Sequence, residues 1–254
     1  MDKLEFKAVI FDLDGVVTKT AIVHCASWKV MFDEYMRERE ARDNESFVEF
    51  RHEQDYLVYV DGKPRYKGVQ SFLESRNINI EFGDPSDDPS KETVCALGNR
   101  KNLKFREVLE KDGVEVYPST IAFIKKLKDR GCRIGVASSS KNCQFIMQAA
   151  NIEDLFETRV DGVVSAKLGL SGKPDPDIFV KACENLGIDT KDSIVVEDAV
   201  SGVQAGAKGG FGLVIGIARE NNEEELKKNG ADFVIIDFEG ITIDMIEQEL
   251  KEAK

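Results

Sequence analysis

Two pairs of acidic residues follow apolar stretches of the sequence. Asp12 and Asp14 come directly after residues 8–11 in AVIFDLDG, and Glu197 and Asp198 follow the apolar residues of IVVEDA. Four carboxylates brought together would repel one another, which would raise their pKa values or drive them apart. A divalent cation relieves that repulsion, and a set of oxygen ligands favours Mg²⁺. The acidic pairs therefore predict a Mg²⁺ site wherever they meet.

A hydroxyl and an ammonium group belong to the same candidate set. Ser138 stands in ASSSKN, at the end of another apolar stretch, and Lys173 lies in the loop segment GLSGKPDPDIF. Both groups suit the oxygens of a phosphate. A carboxylate can itself attack phosphorus and form an aspartyl-phosphate. Together with the carboxylates, these residues favour metal-assisted phosphoryl transfer.

The elements that must position these residues form an alternating pattern. From residue 114 onwards, short strands rich in valine and isoleucine alternate with helical stretches; the predicted strands are CRIGVASSS, DSIVVEDAV, FGLVIGIA and DFVIID, with a weaker one near 159–164. Such alternation indicates right-handed β-α-β crossovers and a parallel sheet buried on both faces. The predicted fold class is α/β, a doubly wound, Rossmann-like parallel sheet. Sites in such sheets form at the carboxyl ends of the strands.

A mostly helical segment interrupts this pattern. Residues 1–18 and 114–254 are predicted to form the α/β core, and residues 19–113 a helical cap inserted after the first strand. Ile22, Cys25 and Trp28 begin a helical spacing over 21–40. Further helices are predicted over 68–76 and 94–109. The Pro-, Asp- and Ser-rich stretch at 81–93 is predicted to be a loop.

Composition narrows the partners and the compartment. The formal net charge of −12 disfavours nucleic acids and anionic membranes as partners. Five cysteines without a C-x-x-C pair, and only two histidines, argue against a zinc site. The sequence has no apolar run of membrane length and no signal-like start. We therefore expect a cytoplasmic monomer with reduced thiols that acts on a small molecule.

The four motifs, taken together and in this order, resemble the haloacid dehalogenase superfamily of phosphotransferases, and most closely its β-phosphoglucomutase-like branch. The matching stretches are DLDGVVT, ASSSKN, SGKPDPDIF and VVEDAVSGVQAG. The resemblance implies that Asp12 is the nucleophile and that Asp14 is the general acid and base. It further implies that Ser138 binds a phosphoryl oxygen and that Lys173 neutralises the charge on the aspartate and on the transferring group.

The resemblance also implies a ligand set for Mg²⁺. It consists of the side chains of Asp12, Glu197 and Asp198 and the backbone carbonyl of Asp14. Six further residues are predicted to contact substrate or to couple cap closure to the site: Thr18, His24, Arg65, Lys101, Lys141 and Asn142. Arg65 is placed in a glycine-rich turn as a second phosphate contact. For His24 and Arg65, a purely structural role is equally compatible with the sequence.

The implied substrate is a small phosphorylated sugar, and the predicted reaction is that of a β-phosphoglucomutase-like phosphomutase, with a sugar-phosphate phosphatase as the alternative. A phosphomutase returns the phosphoryl group to another hydroxyl of the sugar, whereas a phosphatase transfers it to water through the same site. Lys19, Ala199 and a longer cap depart from the pattern of the mutase branch and leave the identity of the sugar open. Two further classes of protein fit the sequence less well. A non-enzymatic scaffold would have lost motif residues, and a dehalogenase would not need the acidic pair at 197–198.

Overall fold

The computed structural model describes residues 4–43 and 46–253. The chain divides into two compact units, one formed by Met1–Lys19 with Val114–Lys254 and the other by Thr20–Gly113. The role of the second unit as a substrate-selecting cap stays a prediction. None of the helices in the described ranges is long and apolar enough to cross a membrane.

Six strands and ten α-helices are found in the described residues. The strands are β1 Ala8–Phe11, β2 Arg133–Ala137, β3 Thr158–Val160, β4 Ser193–Glu197, β5 Leu213–Ile217 and β6 Phe233–Ile235. The helices are α1 Thr20–Asp43, α2 Arg65–Ser75, α3 Val94–Asp112, α4 Pro118–Asp129, α5 Cys143–Ala149, α6 Gly162–Leu168, α7 Asp177–Leu186, α8 Val200–Lys208, α9 Glu223–Lys228 and α10 Ile243–Glu252. A π-helical segment, His52–Val60, lies between α1 and α2.

The first unit is built on one parallel sheet with the order β3-β2-β1-β4-β5-β6. β1 lies between β2 and β4, so that Phe11 is in register with Val136 on one side and Val196 on the other. Ile10 and Val195 pack with Phe179 of α7 in a fully buried cluster. The strand order reverses between β1 and β4, which is the switch point where such sheets bind ligands. The predicted α/β fold class is confirmed.

The second unit is helical and packs around aromatic side chains. The rings of Trp28 and Phe32 stack with centroids 5.4 Å apart, and Phe32 lies 4.1 Å from Phe72. Phe50 completes the group, at 5.1 Å from both phenylalanines. All six strands of the described chain lie in the other unit, and the stretch 81–93 forms neither helix nor strand.

Two local predictions were wrong. The strand near 159–164 ends at Val160, because the Asp161 carboxylate accepts hydrogen bonds from the N–H groups of residues 163 and 164, both at 2.9 Å, and begins α6. Arg65 is the first residue of α2 rather than part of a turn, since the helix starts immediately after Pro64, whose φ is fixed at −56°.

Candidate active site

The end of β1 is tied to the end of β4. The backbone N–H of Asp12 donates to the carbonyl of Val196 at 2.9 Å, and the Asp12 side chain is buried. The chain then turns at Gly15, whose φ of +89° favours glycine. A Cβ atom at residue 15 would lie 2.5 Å from Cγ of Asp198. Gly15 therefore allows the two acidic strand ends to approach closely.

Thr18 closes this turn from within the same unit. The backbone N–H of Gly15 donates to the Thr18 carbonyl at 2.7 Å, and the Thr18 hydroxyl donates to the carbonyl of Leu13 at 3.1 Å. The hydroxyl is fully buried in the loop that carries Asp14. Its predicted part in substrate binding stays a prediction.

Lys173 is the buried cation of the site. Its ammonium group donates to Oδ1 of Asp12 at 2.5 Å and to Oε1 of Glu197. Burial lowers the pKa of Lys173, but the two carboxylates outweigh that effect and raise its pKa above the ordinary value. The lysine therefore stays protonated and neutralises part of the negative charge at the strand ends.

Three carboxylates converge beside Lys173. One oxygen from each of Asp12, Glu197 and Asp198 lies within 4.8 Å of the others. Burial raises the pKa of Asp12, and the neighbouring carboxylates of Glu197 and Asp14 raise it further, whereas Lys173 lowers it. One ammonium group does not balance this much negative charge. The donor set is all oxygen and anionic, so it fits a divalent cation.

The two residues just before α8 hold Glu197 in place. Its Oε2 accepts hydrogen bonds from the backbone N–H groups of Asp198 at 2.7 Å and Ala199 at 2.8 Å. Gly202, in the first turn of α8, leaves the space that this carboxylate occupies: a Cβ atom there would lie 2.5 Å from Cγ of Glu197. Sequence reasoning did not identify Gly202.

The residues that follow β2 lie beside Asp14. The hydroxyl of Ser138 donates to Oδ2 of Asp14 at 3.3 Å and accepts from the N–H of Ser140 at 3.1 Å. Ser140 in turn accepts the N–H of Asn142 at 3.1 Å. Asn142 is buried and Lys141 is half-buried. The structure thus places the hydroxyl predicted to bind phosphate next to the carboxylate predicted to transfer a proton.

Lys101 and His24 form a contact inside the second unit. The Lys101 ammonium lies 2.5 Å from Nδ1 of His24, and the imidazole stacks on Phe105 with centroids 3.9 Å apart. Because lysine can only donate, Nδ1 is the acceptor in this pair. Lys101 is 2% exposed and lies over the rings of Trp28 and Phe105. His24 therefore both packs in the helical unit and orients a buried cation.

Arg65 lies in the same helical unit. Its Nη2 donates to Oδ1 of Asn102 at 2.8 Å, which joins the start of α2 to α3. Arg65 is half-buried, and burial lowers the pKa of its guanidinium. Sequence reasoning did not single out Asn102, although it directly follows Lys101 in GNRKN.

Arg219 is a third residue that sequence reasoning missed. It follows β5, and its Nε donates to the carbonyl of Gly15 at 3.0 Å. Its guanidinium lies 3.7 Å from the centre of the Tyr117 ring and pairs with Asp237 at 3.0 Å. Arg219 thereby supports the turn that follows Asp12 and Asp14. Its position just after a strand of the parallel sheet is the signal that could have found it.

Comparison with known protein families identifies the class of protein to which this fold and these acidic strand ends belong. The family model for haloacid dehalogenase-like hydrolases matches residues 6–210, and the chain belongs to this family. The predictions of this family and of an enzyme of this type are confirmed.

Relatives within the family point to one branch of it. The chain is 42% identical to the β-phosphoglucomutase of Mycobacterium tuberculosis over 235 residues, which cover 91% of this chain and 90% of the relative. It is 30% identical to the β-phosphoglucomutase of Bacillus subtilis over 98% of this chain and 97% of that one. The crystal structure of a β-phosphoglucomutase from Clostridium difficile shares the fold, with a TM-score of 0.76, 24% identity and coverage of 97% and 98%.

Proposed function

We propose that this protein is a Mg²⁺-dependent phosphomutase that acts on a small phosphorylated sugar through an aspartyl-phosphate on Asp12. The observation that carries the proposal is the contact of Lys173 with both Asp12 and Glu197, beside the third carboxylate of Asp198. Such a cluster combines a nucleophile, a fixed cation and a set of ligands for a divalent ion. The 42% identity to a β-phosphoglucomutase supports the mutase form of the reaction.

The chain's own residues divide the chemistry between them. The cycle begins with a phosphoryl group already on Asp12. A free hydroxyl of the sugar phosphate gives its proton to Asp14 and attacks that phosphorus, so that a bond from phosphorus to the sugar oxygen forms while the bond to the Asp12 oxygen breaks; the product is a sugar bisphosphate. In the second half, the Asp12 carboxylate attacks the original phosphoryl group of the bisphosphate and Asp14 returns its proton to the departing sugar oxygen, which leaves the isomerised sugar phosphate and a phosphorylated Asp12.

Ser138 and Lys173 stabilise the group in transit. The Ser138 hydroxyl lies 3.3 Å from Asp14, where it can donate to a phosphoryl oxygen, and Lys173 neutralises charge on Asp12. Asp12, Glu197, Asp198 and the Asp14 carbonyl would hold Mg²⁺. When bound, the ion would offset the negative charge of the phosphoryl group.

The remaining predicted contacts are assigned to the sugar and its phosphate. Lys141 and Asn142 follow β2 in the first unit, whereas Lys101 and Arg65 are the cations of the helical unit that we assign to anionic groups of the substrate. Arginine suits a phosphate because it can donate two parallel hydrogen bonds. Thr18 and His24 act indirectly, through the Asp14 loop and through Lys101 respectively.

A phosphatase is the second candidate, because the chain belongs to a family of hydrolases and the same residues could transfer the phosphoryl group to water. A panel of sugar phosphates that begins with β-glucose 1-phosphate, assayed with and without Mg²⁺, separates the two. Isomerised sugar phosphate supports the mutase. Inorganic phosphate without isomerised product would refute it in favour of the phosphatase.

The Asp12→Asn variant tests the shared chemistry. We expect it to lose at least about a thousandfold in turnover with every substrate, because the amide cannot act as the nucleophile. Asp189→Asn, at a side chain that is 75% exposed, is the matched control and should leave turnover unchanged. Full activity of Asp12→Asn would refute both candidate functions.

A further inference from the structure

The stretch 81–93, which belongs to the enlarged part of the helical unit, is hydrogen-bonded to α3. The side-chain amide of Asn99 donates to the carbonyls of Pro85 at 3.1 Å and Asp87 at 2.9 Å. Oδ1 of the same residue accepts a hydrogen bond from the Tyr66 hydroxyl at 3.0 Å. Asn99 therefore connects the stretch 81–93 to the first turn of α2, where Tyr66 follows Arg65.

Gly98 allows α2 to approach α3 at this point. A Cβ atom at residue 98 would lie 2.8 Å from the Tyr66 ring and 3.2 Å from Cδ of Arg65. One helical turn further along α3, Asn102 accepts the hydrogen bond from Nη2 of Arg65 at 2.8 Å. Residues 98 and 102 are neighbours on one face of the helix. That face fixes both the stem and the head of the arginine side chain.

The contact orients the guanidinium but does not neutralise it. The amide of Asn102 is uncharged, and the neighbouring side chain of Arg106 carries a charge of the same sign as Arg65. Removing a cation from water costs free energy, and an anionic partner offsets more of that cost than a neutral hydrogen-bond acceptor does. A carboxylate at residue 102 would supply that anion permanently and would compete with an anionic ligand.

We propose that Asn102 is a positioning residue for substrate binding. Its neutral amide orients Arg65 toward an anionic group of the phosphorylated sugar and does not neutralise the charge of the guanidinium. The inference rests on the proposed function, in which Arg65 binds such a group. It also gives the enlarged stretch 81–93 a role, since that stretch is bonded through Asn99 to the residues that hold Arg65.

The test compares Asn102→Asp with the wild-type protein. The aspartate has almost the same shape, keeps an acceptor oxygen for Arg65 and adds a charge. We expect KM for β-glucose 1-phosphate to rise about tenfold or more while kcat changes less than about twofold. The reason is that Arg65 would bind the substrate equally strongly in the ground state and in the transition state. Asn102→Ala, which removes the orientation and adds no charge, should raise KM by a smaller factor.

Two controls separate positioning from a structural role. Lys111→Gln changes the net charge by the same amount at an exposed residue of α3 and should keep the wild-type KM. Acetyl phosphate, which carries no sugar, should be hydrolysed by the Asn102 variants at the wild-type rate. If Asn102 had only a structural role, its variants would react more slowly with both β-glucose 1-phosphate and acetyl phosphate, and their melting temperature would fall.

The outcomes distinguish this inference from the proposed function. An active wild-type protein whose KM is unchanged in Asn102→Asp would overturn the inference alone. A wild-type protein that turns over no phosphate ester would overturn the proposed function and, with it, the substrate assigned to Arg65.

Discussion

Replacement of Gly202 by alanine tests whether the Glu197 carboxylate packs directly against this residue of α8. In an ordinary helix the change would stabilise the protein by about 1 kcal/mol. Here the new Cβ atom would lie 2.5 Å from Cγ of Glu197, so the carboxylate must move. Glu197 is fully buried and accepts hydrogen bonds from two backbone N–H groups at 2.7 and 2.8 Å.

The sizes of these effects decide whether Gly202→Ala stabilises or destabilises the protein. Hydrogen bonds to a charged group contribute about 1.5–3 kcal/mol each, so loss of the two backbone bonds costs about 3–6 kcal/mol and the helical gain recovers about 1. We expect Gly202→Ala to lower the free energy of unfolding by about 2–5 kcal/mol, on the basis of those two contributions. It should also raise the Mg²⁺ concentration needed for half-maximal turnover, because Glu197 is a predicted ligand.

Urea unfolding and a Mg²⁺ titration of activity measure both effects. Gly206→Ala in the same helix is the matched control, because the atoms nearest to its Cβ would be side-chain carbons of Val214 and Val195, at 3.1–3.4 Å. It should change stability by less than about 1.5 kcal/mol and leave the Mg²⁺ requirement unchanged. If Gly202→Ala were as stable and as active as Gly206→Ala, this placement of the Glu197 carboxylate would be wrong.

Three further predictions follow from the charges and thiols of the chain. Lys173→Met should abolish phosphoryl transfer but retain the far-ultraviolet circular dichroism of the fold, because Asp12 and Glu197 lose their shared cation; measurable turnover would contradict this. Among the cysteines of the described residues, Cys25 alone is not buried, so a thiol reagent should label it first in the native protein; rapid labelling that persists in Cys25→Ser would contradict this. The ion pair with a neighbouring lysine and two further hydrogen bonds lower the pKa of Asp87 from 3.8 to about 2. The stability that Asp87 contributes is therefore present above pH 3.8 and lost as the pH falls through about 2. Acid titration followed by fluorescence of the single tryptophan should show a smaller loss over this range in Asp87→Asn, and equal profiles would contradict the prediction.

The sheet and the core motifs could be predicted because local sequence dictates them. Residues 8–11 and 193–197 are apolar runs of strand length that end in acidic residues, and parallel strands bring their carboxyl ends to one edge. This rule places Asp12 and Glu197 at the same edge of the sheet. Lys173 belongs to the same candidate set by its residue type, but its contact with Glu197 could not be predicted, because its loop precedes α7 and does not directly follow a strand.

The rest depended on contacts between residues that are distant in sequence. The pairing of Lys101 with His24 spans 77 residues, and that of Arg65 with Asn102 spans 37. No spacing rule predicts such pairs. Likewise, the space that Gly202 leaves for Glu197 becomes visible only when the strand end and the first turn of α8 are placed together.

The proposed function depends on a phosphoryl group that is carried by Asp12, and mass spectrometry can detect that group on the protein. The protein is mixed with Mg²⁺ and acetyl phosphate or a sugar bisphosphate, quenched in acid during turnover, digested and analysed by mass spectrometry. We expect a phosphoryl group on the peptide that contains Asp12, localised to that residue and absent from Asp12→Asn. Turnover with the phosphoryl group on another residue, or with no covalent adduct under single-turnover conditions, would contradict it.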